Sequence, residues 1–299
     1  MISKLKLLRL YHFKHPIKNI KNFLFSKPNR FNFLANIYTK FTKVSSPEKW
    51  VFIVGCYNSG TTLLLRLLDN YRDISTLYEG VFKTSELNTP EELGWTRLWY
   101  KVYEQVRLSK NNDGINVNNL KKDWSIFLNN KKKIFVEKSI VNSTRMAWLQ
   151  ENFKNSYFIF IVRNGYCVSE GIKRKAPKGA WGIQKKDYQP SYPIEMCAKQ
   201  WIYSNKIIEK DSRNIKRFFK IKYEDLCVNP EKTLKNIFKF LNIPSGNQFN
   251  KEKKWNIHGE KSEIKNMNYK SFESLSSFQI KKINQIAEKM LGYYGYDIL

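Results

Sequence analysis

The sequence predicts an α/β fold of three layers, in which a parallel β-sheet is covered by helices on both faces. Short apolar runs alternate with amphipathic helical segments along the chain, a pattern typical of β-α-β units. The runs Val51 to Val54 and Tyr157 to Val162 are almost wholly apolar, as expected of strands buried on both faces. Ligands bind such sheets at the carboxyl ends of strands, so we expect a functional site there.

Capping residues and periodicity predict the individual elements. Thr89-Pro90-Glu91-Glu92 offers an N-cap, a proline at the first helical position and an acidic first turn, which predicts a helix over 90–108. Prolines and glycines predict a long loop over 176–193. In chain order, the further predictions are a helix beginning near Leu63, a strand Ile74 to Leu77, a loop 109–119, a strand Lys133 to Val136, helices Ser143 to Asn152 and 166–175, a helix Ile194 to Asp211, a strand Phe218 to Ile221, a helix Pro230 to Leu241, an irregular segment 245–275 and a helix Phe278 to Leu291.

Composition is compatible with one decorated domain and a strong attraction to anions. The chain has 299 residues, of which 42% are hydrophobic, and 53 Lys and Arg against 26 Asp and Glu give a net charge of +27. Such a charge favours anionic partners: a polyanionic nucleotide, an anionic glycan or a membrane surface. We find no recognised nucleic-acid motif, so we predict no specific nucleic-acid partner.

Cysteine and histidine usage favours a cytoplasmic protein without a metal centre. The four cysteines show no Cys-x-x-Cys spacing and the three histidines do not cluster, so neither a zinc site nor a disulfide framework is predicted. Reduced thiols are the expectation for such a chain. The sequence contains no run of 18 apolar residues, so no transmembrane helix is predicted.

Residues 1–49 differ from the rest, and we treat them as a basic, aromatic-rich extension of a domain over 50–299. They contain eleven Lys and Arg and a single acid, Glu48, and they lack the apolar region of a signal peptide. Two interpretations stay open. The extension could lie on an anionic membrane as a basic amphipathic segment, or it could pack on the core as helical decoration.

The most informative motif follows the first strand. Gly55 and Gly60 have the Gly-x-x-x-x-Gly spacing of a phosphate-binding P-loop, in which backbone N–H groups and a helix N-terminus surround an anion. The position of the nucleoside triphosphatase lysine holds Thr61. The motif predicts a P-loop-like fold that binds an anion other than a nucleoside triphosphate.

Ser59-Gly60-Thr61-Thr62 resembles the 5′-phosphosulfate loop of the sulfotransferase family, nearest to the tyrosylprotein and carbohydrate type. The resemblance covers about residues 50–295. It implies that the donor is 3′-phosphoadenosine 5′-phosphosulfate (PAPS), that the product is the nucleotide PAP, and that no metal is needed. The family often has Arg or Lys just before the serine, where this chain has Asn58, so another cation is expected to serve the phosphosulfate.

A second motif follows the buried strand ending at Val162. In the family that strand ends in an arginine that binds the 3′-phosphate, and Arg163 matches it. An arginine suits a phosphate because its planar fork donates two parallel hydrogen bonds. The family's serine eight residues later is Gly171 here. Ser169 is one replacement for it, and Lys173 or Arg174 is another.

Two later segments extend the resemblance. Tyr223-Glu224-Asp225-Leu226, followed by Pro230, resembles a family block in which Tyr223 would border the nucleotide. The segment from Ile264 to Asn268 resembles a C-terminal loop of tyrosylprotein sulfotransferases whose lysine reaches the cofactor. Lys265 would then supply the cation absent at Asn58.

The catalytic candidates come from strand ends. Sulfuryl transfer needs a base for the acceptor proton and cations for the charge on the leaving phosphate. No histidine lies near a motif, and the resemblance places a catalytic glutamate at Glu79. Lys138 would stabilise the leaving oxygen, and Glu137 either orients that lysine or is a second candidate base.

The sequence therefore predicts a PAPS-dependent sulfotransferase acting on an acceptor hydroxyl, with a carbohydrate or glycan favoured because the chain is basic and aromatic-rich. A kinase-like P-loop phosphotransferase is one alternative, although it would need a lysine at Thr61 and a Mg²⁺-binding aspartate at a strand end. A nucleotide-binding or membrane-attached protein without catalysis is another, because Asn58 and Gly171 depart from the family pattern.

Overall fold

A computed structural model describes residues 43–44, 46–78, 87–110, 114–176, 179–181, 187–189, 191–244, 255–256 and 261–299. The chain forms a five-stranded sheet in the order β2-β3-β1-β4-β7, and all four pairings are parallel. The strands of this sheet are β1 (Lys49–Gly55), β2 (Ile74–Tyr78), β3 (Ile134–Lys138), β4 (Ser156–Val162) and β7 (Phe218–Lys222). Two short hairpins consist of β5 (Gly179–Trp181) with β6 (Asp187–Gln189) and of β8 (Trp255–Asn256) with β9 (Lys261–Ser262).

Helices connect the parallel strands, as crossovers between such strands require. In the described residues they are α1 (Thr61–Asp69), α2 (Tyr103–Val106), α3 (Val117–Ser125), α4 (Met146–Asn152), α5 (Gly165–Arg174), α6 (Ile194–Ser212), α7 (Tyr223–Val228), α8 (Pro230–Phe240), α9 (Asn268–Ser274) and α10 (Ser277–Tyr293). Turns of 3₁₀ helix lie at Trp99–Val102 and Ile140–Thr144.

Side-chain alternation along the strands divides the core into two layers. Trp50 and Phe52 of β1 face a layer that includes the buried side chains of α4, α6 and α10. Val51 and Ile53 face the other layer, together with the leucines of α1 and the apolar face of α8. The predicted three-layer α/β fold is therefore confirmed.

The predicted helix over 90–108 is wrong for most of its length. Thr89 and Glu92 do exchange the hydrogen bonds of a capping box. The helix does not continue, because Gly94 and Arg97 adopt left-handed conformations with φ of 78° and 64°. Only the 3₁₀ turn at Trp99–Val102 and the short α2 follow.

Other boundaries also differ from the sequence-based expectations. The predicted loop 109–119 ends early, because the Asn116 side chain caps α3 by accepting from the Asn119 N–H. The predicted irregular segment 245–275 contains α9, and the predicted loop 176–193 contains the hairpin of β5 and β6. The polar composition of these segments concealed each of these elements.

No helix in the described part of the chain is long and apolar enough to cross a membrane. The basic extension, residues 1–49, lies almost entirely outside the described residues, so its two interpretations stay predictions.

Candidate functional site

The loop between β1 and α1 folds back closely on the sheet. A Cβ atom on Gly55 would lie 2.6 Å from the Ile161 carbonyl oxygen, so only glycine permits this approach to β4. The Ser59 side chain is 1% exposed, and its hydroxyl donates to the Cys56 carbonyl at 2.6 Å. These contacts fix the loop at the carboxyl end of the sheet.

Gly60 is the N-cap of α1 and brings the loop against Tyr223. Its φ of 96° lies in the left-handed region, and a Cβ there would be 2.5 Å from a Tyr223 ring carbon. Having no side chain, Gly60 leaves the first N–H groups of α1 uncapped, which suits them to bind an anion. Thr61 is buried and Thr62 is half-buried at the first two helical positions.

Arg163 joins three separate parts of the chain. It follows β4, it is 9% exposed, and its Nη1 donates to the Asn58 carbonyl oxygen at 2.8 Å. Its Nε donates to Oδ1 of Asn268 at 2.8 Å. The guanidinium carbon lies 4.1 Å from the centre of the Tyr223 ring, within range of a cation–π interaction. The loop, the second motif and the C-terminal segment thus meet at one arginine.

Tyr223 and Glu224 hold the C-terminal segment in place. The Tyr223 hydroxyl accepts from the Met267 N–H at 3.1 Å and donates to the Lys265 carbonyl at 3.4 Å. Burial raises the pKa of Tyr223 to about 12, so the hydroxyl keeps its proton at neutral pH. Glu224 accepts from the Asn164 N–H and from the Asn268 side chain. The backbone at Lys265 therefore lies beside the loop, while its side chain is exposed.

Two of the replacements considered for the missing serine, Ser169 and Arg174, have other partners in the structure. The Ser169 side chain is fully buried, and its hydroxyl donates to the Gly165 carbonyl one turn earlier. Arg174 forms an ion pair with Glu170 at 2.7 Å. Gly171, by contrast, lies against Asn58: a Cβ atom there would be 3.1 Å from the Asn58 Cβ and Cγ atoms.

The end of β3 carries the two charged candidates on opposite faces. Glu137 is 2% exposed and accepts a hydrogen bond from the Asn142 side chain. Burial lowers the pKa of nearby Arg145 to about 10, an effect that the Glu137 charge opposes. Lys138 is 5% exposed and shares its face with Val136, which lies in the same layer as α1.

Glu79 lies outside the described residues. It directly follows Tyr78, the last residue of β2, and Tyr78 is paired with Lys138 in the parallel register. The candidate base Glu79 therefore comes directly after β2 in the sequence, and the candidate lysine Lys138 is the last residue of the neighbouring strand β3.

Two further cations near Arg163 were missed from the sequence. Desolvation lowers the pKa of Lys175, and the charges of Arg97, Arg174 and Arg163 lower it further. The Arg97 guanidinium also lies 5.8 Å from the centre of the Tyr57 ring, next to Asn58. No sequence signal separates Arg97 or Lys175 from the other basic residues of so cationic a chain.

Anion binding is the chemistry that this arrangement supports. Uncapped N–H groups, a buried arginine and additional cations converge at the carboxyl edge of the sheet. Within the ranges the structure describes, no three His, Cys, Asp or Glu side chains are grouped so that they could hold a metal ion.

Known proteins give the family and the fold. The family model described as "Sulfotransferase family" matches residues 51–246. A "Protein-tyrosine sulfotransferase" of Drosophila melanogaster is 29% identical over 101 residues, which are 33% of this chain and 19% of that protein. A "Protein-tyrosine sulfotransferase A" of Caenorhabditis elegans is 22% identical over 243 residues, which are 79% of this chain and 59% of that protein. The chain thus spans less than two thirds of the length of either curated relative.

Among solved structures, sulfotransferase STF9 from Mycobacterium avium has a TM-score of 0.51 at 14% identity. The match covers 90% of this chain and 83% of that one. At this identity the likeness concerns the fold.

Replacing Gly60 by alanine tests the close contact between the loop and Tyr223. We expect Gly60→Ala to lower the free energy of unfolding by about 1–3 kcal/mol, because the new Cβ meets the ring in a left-handed conformation. Urea denaturation measures the change. Gly292→Ala is the control, since nothing lies within 4 Å of its added Cβ; we expect it to be neutral or slightly stabilising. Equal stability of the two variants would contradict the contact.

Proposed function

Because this chain belongs to the sulfotransferase family, we propose that it transfers a sulfuryl group from PAPS to an acceptor hydroxyl. The observation that carries the proposal is the position of Arg163. This side chain is buried at the end of β4 and donates a hydrogen bond to the loop between β1 and α1. A strand-end arginine beside uncapped helical N–H groups suits a ligand with two separate anionic groups.

The residues at this edge fit PAPS. The backbone of Ser59, Gly60, Thr61 and Thr62 would hold the 5′-phosphosulfate, since no side chain at the N-cap Gly60 occupies the first N–H groups of α1. Arg163 would bind the 3′-phosphate. The Tyr223 ring would border the nucleotide, and the exposed Lys265 side chain would add the positive charge that Asn58 lacks.

Catalysis is assigned to residues at the ends of β2 and β3. PAPS supplies the sulfuryl group when bound. Glu79 accepts the proton of the acceptor hydroxyl, and Lys138 places a positive charge beside the leaving oxygen. The pairing of Tyr78 with Lys138 supports this division of roles, because it brings neighbouring strand ends together. Side chains alone supply the charge in this scheme, without a metal.

Glu137 is less suited to act as the base. It lies on the face of β3 opposite to Lys138, and Asn142 already donates to its carboxylate. Its contact with Asn142 and the nearby charge of Arg145 favour a structural role at the end of the strand.

The acceptor is proposed to be anionic, with a glycan favoured. The net charge of +27 would attract a sulfated or carboxylated sugar by a long-range field. The two curated relatives are named for transfer to protein tyrosine, so a tyrosine in an acidic peptide is the second candidate. Transfer of labelled sulfate to a panel of glycans, steroids and tyrosine peptides separates them.

Removing the Arg163 side chain should weaken binding of PAP. Loss of a charge-assisted hydrogen bond costs about 1.5–3 kcal/mol, which corresponds to roughly 10- to 150-fold in Kd. Calorimetry measures Arg163→Ala beside Arg217→Ala, a control at the amino end of β7 where the arginine is exposed. Unchanged PAP affinity in Arg163→Ala would remove the assignment.

Glu79→Gln tests the base. Glutamine keeps the shape of the side chain but cannot accept the proton, so turnover should fall about 10²- to 10⁴-fold. PAP affinity should change little, because Glu79 is proposed to face the acceptor. Glu288→Gln, an exposed change on α10, is the control. The assay uses whichever acceptor responds in the panel, and near-wild-type turnover would transfer the role to another group, with Glu137 next.

Residues 1–49 are proposed to contact anionic membranes peripherally, since this segment contains eleven basic residues and a single acidic one. Deleting residues 1–45 should abolish flotation with phosphatidylserine vesicles and leave PAP binding intact. Flotation of the full chain should weaken at high salt. If the full chain does not float, or the shortened chain floats equally, the membrane contact is wrong and the extension is decoration.

A further inference from the structure

We propose that the Asn58 side-chain amide is a ligand of the phosphate bound by Arg163, and that Gly171 is the glycine that makes room for it. The inference rests on the proposed function and names a contact within the same site. It assigns one role to the two positions at which the chain departs from the family pattern.

The Asn58 side chain packs directly against Gly171. Asn58 belongs to the loop after β1, and Gly171 lies on α5, beyond Arg163. A Cβ atom on Gly171 would be 3.1 Å from both Cβ and Cγ of Asn58 and 3.2 Å from its Nδ2 atom. A side chain at position 171 would require the Asn58 side chain to shift by at least a few tenths of an ångström. The glycine and the asparagine are therefore a matched pair.

The Asn58 amide has donor capacity that no described residue uses. Its Nδ2 atom is shielded from solvent and has no hydrogen-bond partner among the described residues. A buried donor without a partner is destabilising, so a ligand that accepts a hydrogen bond from it relieves that cost. The carbonyl oxygen of the same residue accepts from Arg163. The Asn58 amide and the Arg163 guanidinium are therefore two donors that are linked through the Asn58 backbone.

The surroundings favour an anionic acceptor for that amide. Arg163 bonds to the Asn58 backbone, and the Arg97 guanidinium lies against the Tyr57 ring, the preceding residue. Desolvation lowers the pKa of Lys175, and the positive charges of Arg97 and Arg163 lower it further. A phosphate oxygen would accept from Nδ2 and neutralise part of this charge.

The backbone at position 58 explains why asparagine suits the site. Its φ is 61°, in the left-handed region, where asparagine is several-fold enriched over most residues. Asparagine thus tolerates the loop conformation and also supplies a short, rigid donor. Glycine is the substitution that keeps this backbone and removes only the amide.

The experiment measures binding of two probes, PAP and adenosine 5′-phosphate, by calorimetry. The variants are Asn58→Gly, Gly171→Ser and the double variant, with thermal unfolding as a check on folding. Asn242→Gly is the control, because Asn242 also has a left-handed backbone, with φ of 50°, and is exposed.

Asn58→Gly should weaken PAP binding about 10- to 100-fold, as expected for a lost hydrogen bond to a charged group. It should change binding of adenosine 5′-phosphate less than threefold, since that probe lacks the 3′-phosphate. Gly171→Ser alone should weaken PAP binding about tenfold by displacing the amide. In the double variant, serine enters the vacated space and should recover most of the lost affinity. Asn242→Gly should change neither probe.

The outcomes separate the two proposals. If the wild type binds no PAP, the proposed function fails and the Asn58 assignment fails with it. If PAP binds the wild type and Asn58→Gly equally, or if Gly171→Ser strengthens binding by itself, only the Asn58 assignment is overturned. An equal loss for both probes overturns the assignment to the 3′-phosphate.

Discussion

The buried Arg163 side chain is the interaction on which the site depends. Its guanidinium donates to the loop after β1 and to Asn268 at the start of α9, and it lies over the Tyr223 ring. Each contact comes from a different part of the sequence. A buried arginine without these partners would be costly, so the surrounding elements are held together by the need to satisfy one charge.

Several local features follow from this constraint. Gly60 must lack a side chain because Tyr223 packs against the loop that Arg163 holds. Glu224 supports the far side of the arrangement by accepting from the Asn268 side chain, which itself accepts from Arg163. The C-terminal segment around Asn268 is thereby part of the site. The same arginine donates to the backbone of Asn58, the residue whose amide is the proposed phosphate ligand.

Much of this arrangement could be predicted, because its determinants are local in sequence. A buried strand, a glycine-spaced loop and a helix start lie within residues 51–68, and Arg163 directly follows another apolar run. The contact between Asn58 and Gly171 could not be predicted, since it depends on how α5 packs on the loop. Arg97 was concealed for a related reason. Its left-handed backbone ended the helix predicted around it, and nothing distinguishes it from other basic residues in sequence.

A crystal structure of the chain with bound PAP tests the central claim most directly. We expect the 3′-phosphate to accept hydrogen bonds from the Arg163 guanidinium and the Asn58 amide, and the 5′-phosphate to lie at the N-terminus of α1. The Arg163 contact with the Tyr223 ring would be retained. A PAP molecule bound elsewhere, or one whose 3′-phosphate has no contact with Arg163, would contradict the account.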